Sequence, residues 1–148
     1  DEWQILKDRK QFILTRKNLR NRKPITVSPR IKIETDDFIF LWKTDCIGKS
    51  FNSDRETEII DANKINQTMI LRPWEPGDRF QPLGMSGHKK VSDFLIDIKM
   101  DRFSKQEQFV LADKEEVLWV CGQRISDRVK VTPETTDYAE LSFRQDVV

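Results

Sequence analysis

A chain of 148 residues, 37% hydrophobic and 34% charged, has room for one ordinary domain or two small ones and enough Phe, Trp, Leu, Ile and Val for a core, which excludes disorder along its whole length. Its net charge of +1 hides an asymmetry: residues 1–30 carry nine Lys/Arg against three Asp/Glu, residues 31–67 five against eight, residues 68–105 seven against five, and residues 106–148 five against nine. No apolar run approaches the roughly 20 residues of a membrane helix, and two cysteines (Cys46, Cys121) with one histidine (His88) are too few for a disulfide framework or a four-ligand Cys/His zinc site.

The first half reads as β. Trp3–Leu6 and Phe12–Thr15 flank a polar stretch and predict an opening hairpin. Ile25–Val27 and Ile31–Ile33 alternate with period two, and Phe38–Lys43 is a more continuous apolar strand. Residues 48–58 are polar and predict a loop, after which Ile59–Lys64 closes as a short strand with a helical turn. Thr68–Leu71 is a strand broken at Arg72-Pro73 and again at Pro76-Gly77, and a loop rich in Gly and Pro follows from Glu75 to Lys90. Val91, Phe94, Leu95 and Ile98 stand at i, i+3, i+4 and i+7, one buried stripe of an amphipathic helix with Ser92 as candidate N-cap. Asp101 opens a second short helix to about Gln108. Phe109–Leu111 and Val117–Val120 flank Asp113–Glu116 as another hairpin, and Leu141–Phe143 is a last strand. The class is α+β, antiparallel strands dominating. Trp3, Trp42 and Trp119 fall in strand patterns and are expected in the core or half-buried, and Trp74 and Phe80 are expected to plug into the core from their loop.

The chemistry concentrates in residues 72–90, RPWEPGDRFQPLGMSGHKK. Gly77, Gly84 and Gly87 free the backbone for tight turns, while Arg72, Arg79, Lys89 and Lys90 supply the cations that, with exposed backbone N–H groups, make a phosphate site. The helix that follows adds its N-terminal dipole to that expectation. A nucleotide-binding P-loop ending at Gly87 needs Gly and Lys where Pro82 and His88 stand. Gly84-Met85-Ser86-Gly87 matches the G-x-x-G of a KH module, but in a proline-rich loop rather than between helices. Asp93, Asp97 and His88 offer a metal-dependent hydrolase its residue types, against the plainer reading of Asp93 as a dipole-matching charge and Asp97 as solvated or paired. The opening at Asp1 inside a strand-like pattern, without methionine or signal peptide, reads as a piece of a longer, reduced, cytoplasmic protein.

The stretch RPWEPGDRFQPLGMSGHKKVSDFLIDIKM, with VLWVCGQRISDRVKVT downstream and IIDANKI upstream, resembles the C-terminal domain of bacterial tRNA(Ile)-lysidine synthetase over about residues 59–144, and more weakly over 1–58. The resemblance implies a small β-sandwich with two short helices, similar to a domain of the phenylalanine-tRNA synthetase β-subunit. It divides the chain into a β-rich segment, 1–66, linking to a catalytic part, and a tRNA-docking domain, 67–148. The family uses ATP, with magnesium, to join lysine to the wobble cytidine of an isoleucine tRNA with a CAU anticodon.

The implied partners are that tRNA and the catalytic ATP pyrophosphatase domain of the same protein, with no membrane. The family's nucleotide loop, S-G-G-x-D-S, is absent from these residues, so no catalytic residue is carried over and this piece is expected to hold no cofactor and to make no lysidine alone. The matching motif makes Arg72, Arg79, Lys89 and Lys90 the first candidates for contact with RNA and Arg124 and Arg128 the second, with Asp78 and Asp93 orienting cations and Gly77, Gly84 and Gly87 shaping the loop. The alternative is an intramolecular docking scaffold without RNA contact. A further basic segment runs from Arg16 to Lys23.

Overall fold

The computed structural model describes the backbone of residues 3–8 and 11–16 and, with their side chains, residues 23–46 and 56–145. In chain order these form β1 (Trp3–Asp8), β2 (Gln11–Arg16), β3 (Ile25–Val27), β4 (Lys32–Glu34), β5 (Phe38–Lys43), β6 (Thr57–Asp61) and β7 (Met69–Pro73). Then come β8 (Arg79–Phe80), β9 (Lys89–Lys90), α1 (Val91–Asp97), α2 (Arg102–Glu107), β10 (Phe109–Ala112), β11 (Val117–Val120), β12 (Arg124–Ile125) and β13 (Tyr138–Gln145). Single 3-10 turns lie at Ala62–Lys64 and Asp127–Val129.

Side chains alternate across a strand, so a strand with one covered face buries every second residue. β5 and β13 do so: Phe38, Phe40 and Trp42 are buried on one strand, Ala139, Leu141 and Phe143 on the other. They pair antiparallel with Phe40 opposite Phe143 and Trp42 opposite Leu141. β13 is thereby one of the two inner strands of a four-stranded sheet, β4-β5-β13-β6. A second sheet, β12-β11-β10-β7-β3, lies across it. The join is aromatic: Phe109 of β10 sits 5.0 Å from Phe38 and 5.4 Å from Phe143, centroid to centroid. Two antiparallel sheets with two short helices make a β-sandwich of the expected α+β class.

β10 and β11 break the alternation, since all their residues are buried. Both faces of this part of the sheet are covered. Phe109, Leu111 and Trp119 face the other sheet, while Val110, Ala112, Val117 and Val120 pack with Phe80, Val91, Phe94 and Leu95 on the outer face. A register shift between Leu111 and Ala112 lets Leu118 join Trp119 on the inner side. The molecule has a third layer at this point, built by α1 and the β8–β9 ribbon.

Several expectations are revised. Ile98 is 36% exposed because the helix stops at Asp97. The amides of Lys99 and Met100 donate to the carbonyls of Ile96 and Leu95, and Lys99 takes φ 59°, a Schellman turn without glycine. The N-cap is Lys90, which offers no side-chain cap, and Ser92 lies inside the first turn. Asp101 does cap α2, its carboxylate accepting from the Ser104 amide (2.7 Å) and hydroxyl (2.8 Å). The loop from Glu75 to Lys90 contains the two-residue strands β8 and β9. The division at 66/67 separates no packing units, because β3 pairs with β7 and β13 pairs with both β5 and β6. The opening hairpin is present as β1–β2, with Trp3 opposite Arg16. The Trp3 side chain, residues 17–22 of the basic segment and most of the 48–58 loop lie outside the described residues. No helix among the described residues is long and apolar enough to cross a membrane.

Candidate nucleic-acid interface

The basic motif begins where β7 runs into a tight turn. Gly77 at φ 96° closes Glu75–Asp78, and the Asp78 amide donates to the Glu75 carbonyl at 3.1 Å. The turn aims the Asp78 carboxylate back at Arg72, whose two terminal nitrogens donate to its two oxygens at 2.9 and 2.8 Å. Asp78 also accepts the Glu75 amide at 2.7 Å. This bidentate fork is held by two side chains only 17% and 11% exposed, and the hydrogen bond to Asp78 raises the Arg72 pKa above its ordinary value. Trp74 is half-buried and donates its indole N–H to the Lys105 carbonyl at 2.6 Å, fastening the turn to α2.

β8 and β9 then pair with Arg79 opposite Lys90 and Phe80 opposite Lys89. Directly opposed residues share a face, so the ribbon has two sides of different character. Phe80 is fully buried with its ring edge-on to Phe94 at 5.3 Å, and its neighbour Lys89 is half-buried and ion-paired with Asp97. On the other side Arg79 and Lys90 are both exposed, and neither side chain has a hydrogen-bond or ion-pair partner among the described residues. Two like charges directly opposite each other repel unless an anion lies between them.

The tip between the strands is tied down at its base. Pro82 bridges to Ser126, Leu83 donates its amide to the Ile125 carbonyl at 3.0 Å, and Gly84, at φ 84°, donates to the Asp127 carboxylate at 3.0 Å. The Gly84 bond and the Lys130 ammonium hold the Asp127 carboxyl below the usual carboxylate range. The rest of the tip projects, with Leu83 and Met85 each 42% exposed.

Arg128 is drawn into a separate cluster. It donates to Glu116 at 2.8 Å and pairs with Asp113, both in the β10–β11 turn, while His88 meets the other oxygen of Glu116 at 2.9 Å. Burial pushes the Asp113 carboxyl up, but the amides of Glu116 and Glu115 and the Arg128 guanidinium outweigh it and leave it below its ordinary value. Arg124 stands apart from this cluster, exposed and without a carboxylate partner among the described residues, its guanidinium carbon 5.3 Å from the centre of the Phe94 ring.

The six candidate cations therefore fall into two groups. Arg72, Lys89 and Arg128 are matched by Asp78, Asp97, Asp113 and Glu116, whereas Arg79, Lys90 and Arg124 are open. Asp78 orients Arg72 as expected. Asp93 is exposed and touches none of the candidate cations. Gly77 and Gly84 occupy left-handed backbone that their turns require, and Gly87 does not. The expected anion-binding helix end is not available, since α1 has seven residues and its first amide donates to the Asp78 carbonyl at 2.8 Å. Asp93, Asp97 and His88 have separate surroundings, and no group of three His, Cys, Asp or Glu capable of holding a metal occurs among the described residues. The anchoring roles of Asp113, Glu116 and Asp127 escaped the sequence reading, because their partners lie 12 to 43 positions away and follow no local spacing.

A family model described as the TilS substrate C-terminal domain matches residues 69–141. The tRNA(Ile)-lysidine synthase of Bacteroides thetaiotaomicron is 33% identical over 91% of this chain, and that of Parabacteroides distasonis is 29% identical over 93%. The chain spans only 29% of the length of either relative. Among solved structures, one described as the crystal structure of the TILS C-terminal domain superposes with a TM-score of 0.69 at 16% identity, covering 85% of this chain and all of that one. The fold, the motif and the relatives converge: this chain belongs to the TilS substrate C-terminal domain family, the C-terminal part of the tRNA(Ile)-lysidine synthases.

Proposed function

We propose that this chain is the tRNA-docking part of a cytoplasmic tRNA(Ile)-lysidine synthase. The whole enzyme uses ATP to join lysine to the wobble cytidine of an isoleucine tRNA with a CAU anticodon, and the catalytic part of the same protein carries out that reaction. The role of these residues is to hold the tRNA backbone. One observation carries the reading: Arg79 and Lys90 stand opposite each other on the solvent side of the β8–β9 ribbon with no carboxylate partner among the described residues, although the motif's other cations are matched. A phosphate relieves that repulsion, and Arg124 adds a third open charge on the same outer layer.

Salt dependence tests it. Each phosphate contact contributes about 0.9 to the slope of log affinity against log salt on a duplex. Arg79→Ala/Lys90→Ala is expected to weaken tRNA binding and flatten that slope by roughly one to two units, whereas Lys89→Ala leaves the slope within about half a unit. Equal slopes for wild type and the Arg79/Lys90 variant would make the ribbon a protein-docking scaffold instead, the exposed Leu83 and Met85 then being its contact residues.

A further inference from the structure

Next to Arg124 the outer layer is concave. A hollow of about 360 Å³ lies between the end of α1 and the turn from β11 to β12, lined by Phe94, Ile98, Met100, Gln123 and Arg124. Its two walls are built by two left-handed residues. Lys99, at φ 59°, reverses the chain so that the Met100 amide donates to the Leu95 carbonyl at 3.1 Å, and Gly122, at φ 78°, turns β11 so that the Gln123 amide donates to the Val120 carbonyl at 2.9 Å.

The contents of the hollow are specific in kind. The Arg124 guanidinium lies over one aromatic ring, Phe94, which is itself braced by Phe80. The half-buried Gln123 side chain makes no hydrogen bond among the described residues, so its two donors and its acceptor are unused. Ile98 supplies an aliphatic wall, a branched side chain left 36% exposed where the helix ends.

We infer that this hollow receives one unpaired nucleobase of the bound RNA, stacked on the Arg124 guanidinium and read along its edge by the Gln123 amide. A planar base with a hydrogen-bonding rim matches a cation plane, an amide and an aliphatic wall, and its own phosphate matches the surrounding positive charge. The location also fits. Lys90 caps α1 and Phe94 lies one turn further on, about 5.4 Å along the axis, within reach of the same nucleic-acid strand. The inference rests on the RNA-docking reading above and adds a site that recognises single-stranded RNA.

The test compares three RNA hairpins on the 148-residue chain by fluorescence anisotropy: a blunt stem, the same stem with a short unpaired 3′ extension, and that extension made abasic. The extended hairpin is expected to bind about tenfold tighter than the blunt one, and the abasic extension to return most of that gain. Gln123→Ala and Ile98→Asp, both at positions that are not buried, are each expected to reduce the ratio of extended to blunt affinity, measured on the same protein, to within about twofold of one. Equal affinity of wild type for extended and blunt hairpins overturns the base pocket while leaving the docking surface standing. A gain that survives the abasic substitution also overturns it, because phosphate alone then accounts for the effect. A ratio unchanged in either variant overturns the assignment of these side chains, and absence of binding to all three hairpins defeats the docking reading together with the pocket.

Discussion

The two faces of the five-stranded sheet are built to different specifications. The inner face meets another sheet through large apolar side chains, with Phe38, Phe109 and Phe143 in mutual ring contact and Phe40, Leu71 and Trp119 sealed from solvent. The outer face is covered by a seven-residue helix and a ribbon of two-residue strands, with eight buried residues between, four from the sheet and four from the covering layer. That layer is pinned at its edges by polar fasteners: Arg72 on Asp78, Gly84 on Asp127, Arg128 on Asp113 and Glu116, and the Trp74 indole on the Lys105 carbonyl. A working surface can be carried on a stable sandwich if a second, lighter layer is fixed to it by charges that are thereby withdrawn from binding.

The sharpest way to break this comparison is to remove one large side chain from each layer. Phe40→Ala is expected to cost about 3–5 kcal/mol and to lower the global unfolding midpoint. Leu95→Ala, at the centre of the outer layer, is expected to cost about 2–4 kcal/mol and to speed amide exchange in α1 and β8–β9 before it speeds exchange in β5 and β13. Identical exchange patterns for the two variants would mean that the layers melt as one. Arg72→Ala leaves the Asp78 carboxylate half-buried without its fork and is expected to cost about 1–3 kcal/mol, read by denaturant unfolding. An Arg72→Ala variant as stable as wild type would remove this pair from the fasteners.

The Asp113 anchor gives the comparison a pH axis. Its carboxyl titrates lower when folded than the roughly 3.9 of an unfolded Asp, so the folded state is favoured wherever the group is ionised. The contribution is complete above the unfolded value and is lost as pH falls through the folded one. Asp113→Asn is expected to cost roughly 0.5–1.5 kcal/mol at pH 7 and to converge with wild type once pH has fallen through the folded value, in unfolding curves measured from pH 7 downward. The smallest expected effect is a gain. Lys99 holds a left-handed conformation that glycine adopts freely, and Lys99→Gly is expected to stabilise by about 0.5–1 kcal/mol, a small rise in melting temperature.

The inner layer was legible in the sequence as strands but not as faces. Phe38–Lys43 is a continuous apolar run that announces a strand without naming its buried side, and Leu141 and Phe143 mark only the middle of a strand that runs from Tyr138 to Gln145. The outer layer was legible only as composition. Strands of two residues have no period, so β8 and β9 read as loop. The stripe from Val91 to Leu95 was correct, but its extension to Ile98 assumed a helix that continues, and the Schellman turn at Lys99 carries no glycine to announce it. The six cations could be found from the motif, yet which of them are matched depends on carboxylates that only the fold brings near, as with Arg128 and Asp113, 15 positions apart. Gln123 belongs to no motif, and only the hollow at the end of α1 marks it.

The position of β13 bears on how such a chain comes off the ribosome. β5 and β6 are synthesised early, but the strand between them is made of residues 138–145, about a hundred positions after β5. Until that segment has emerged, the apolar faces of β5 and β6 lack the neighbour that joins them, and a nascent chain has to keep them from other partners in the meantime. Loss of residues 138–145 would therefore remove the inner seam of a sheet rather than trim an edge.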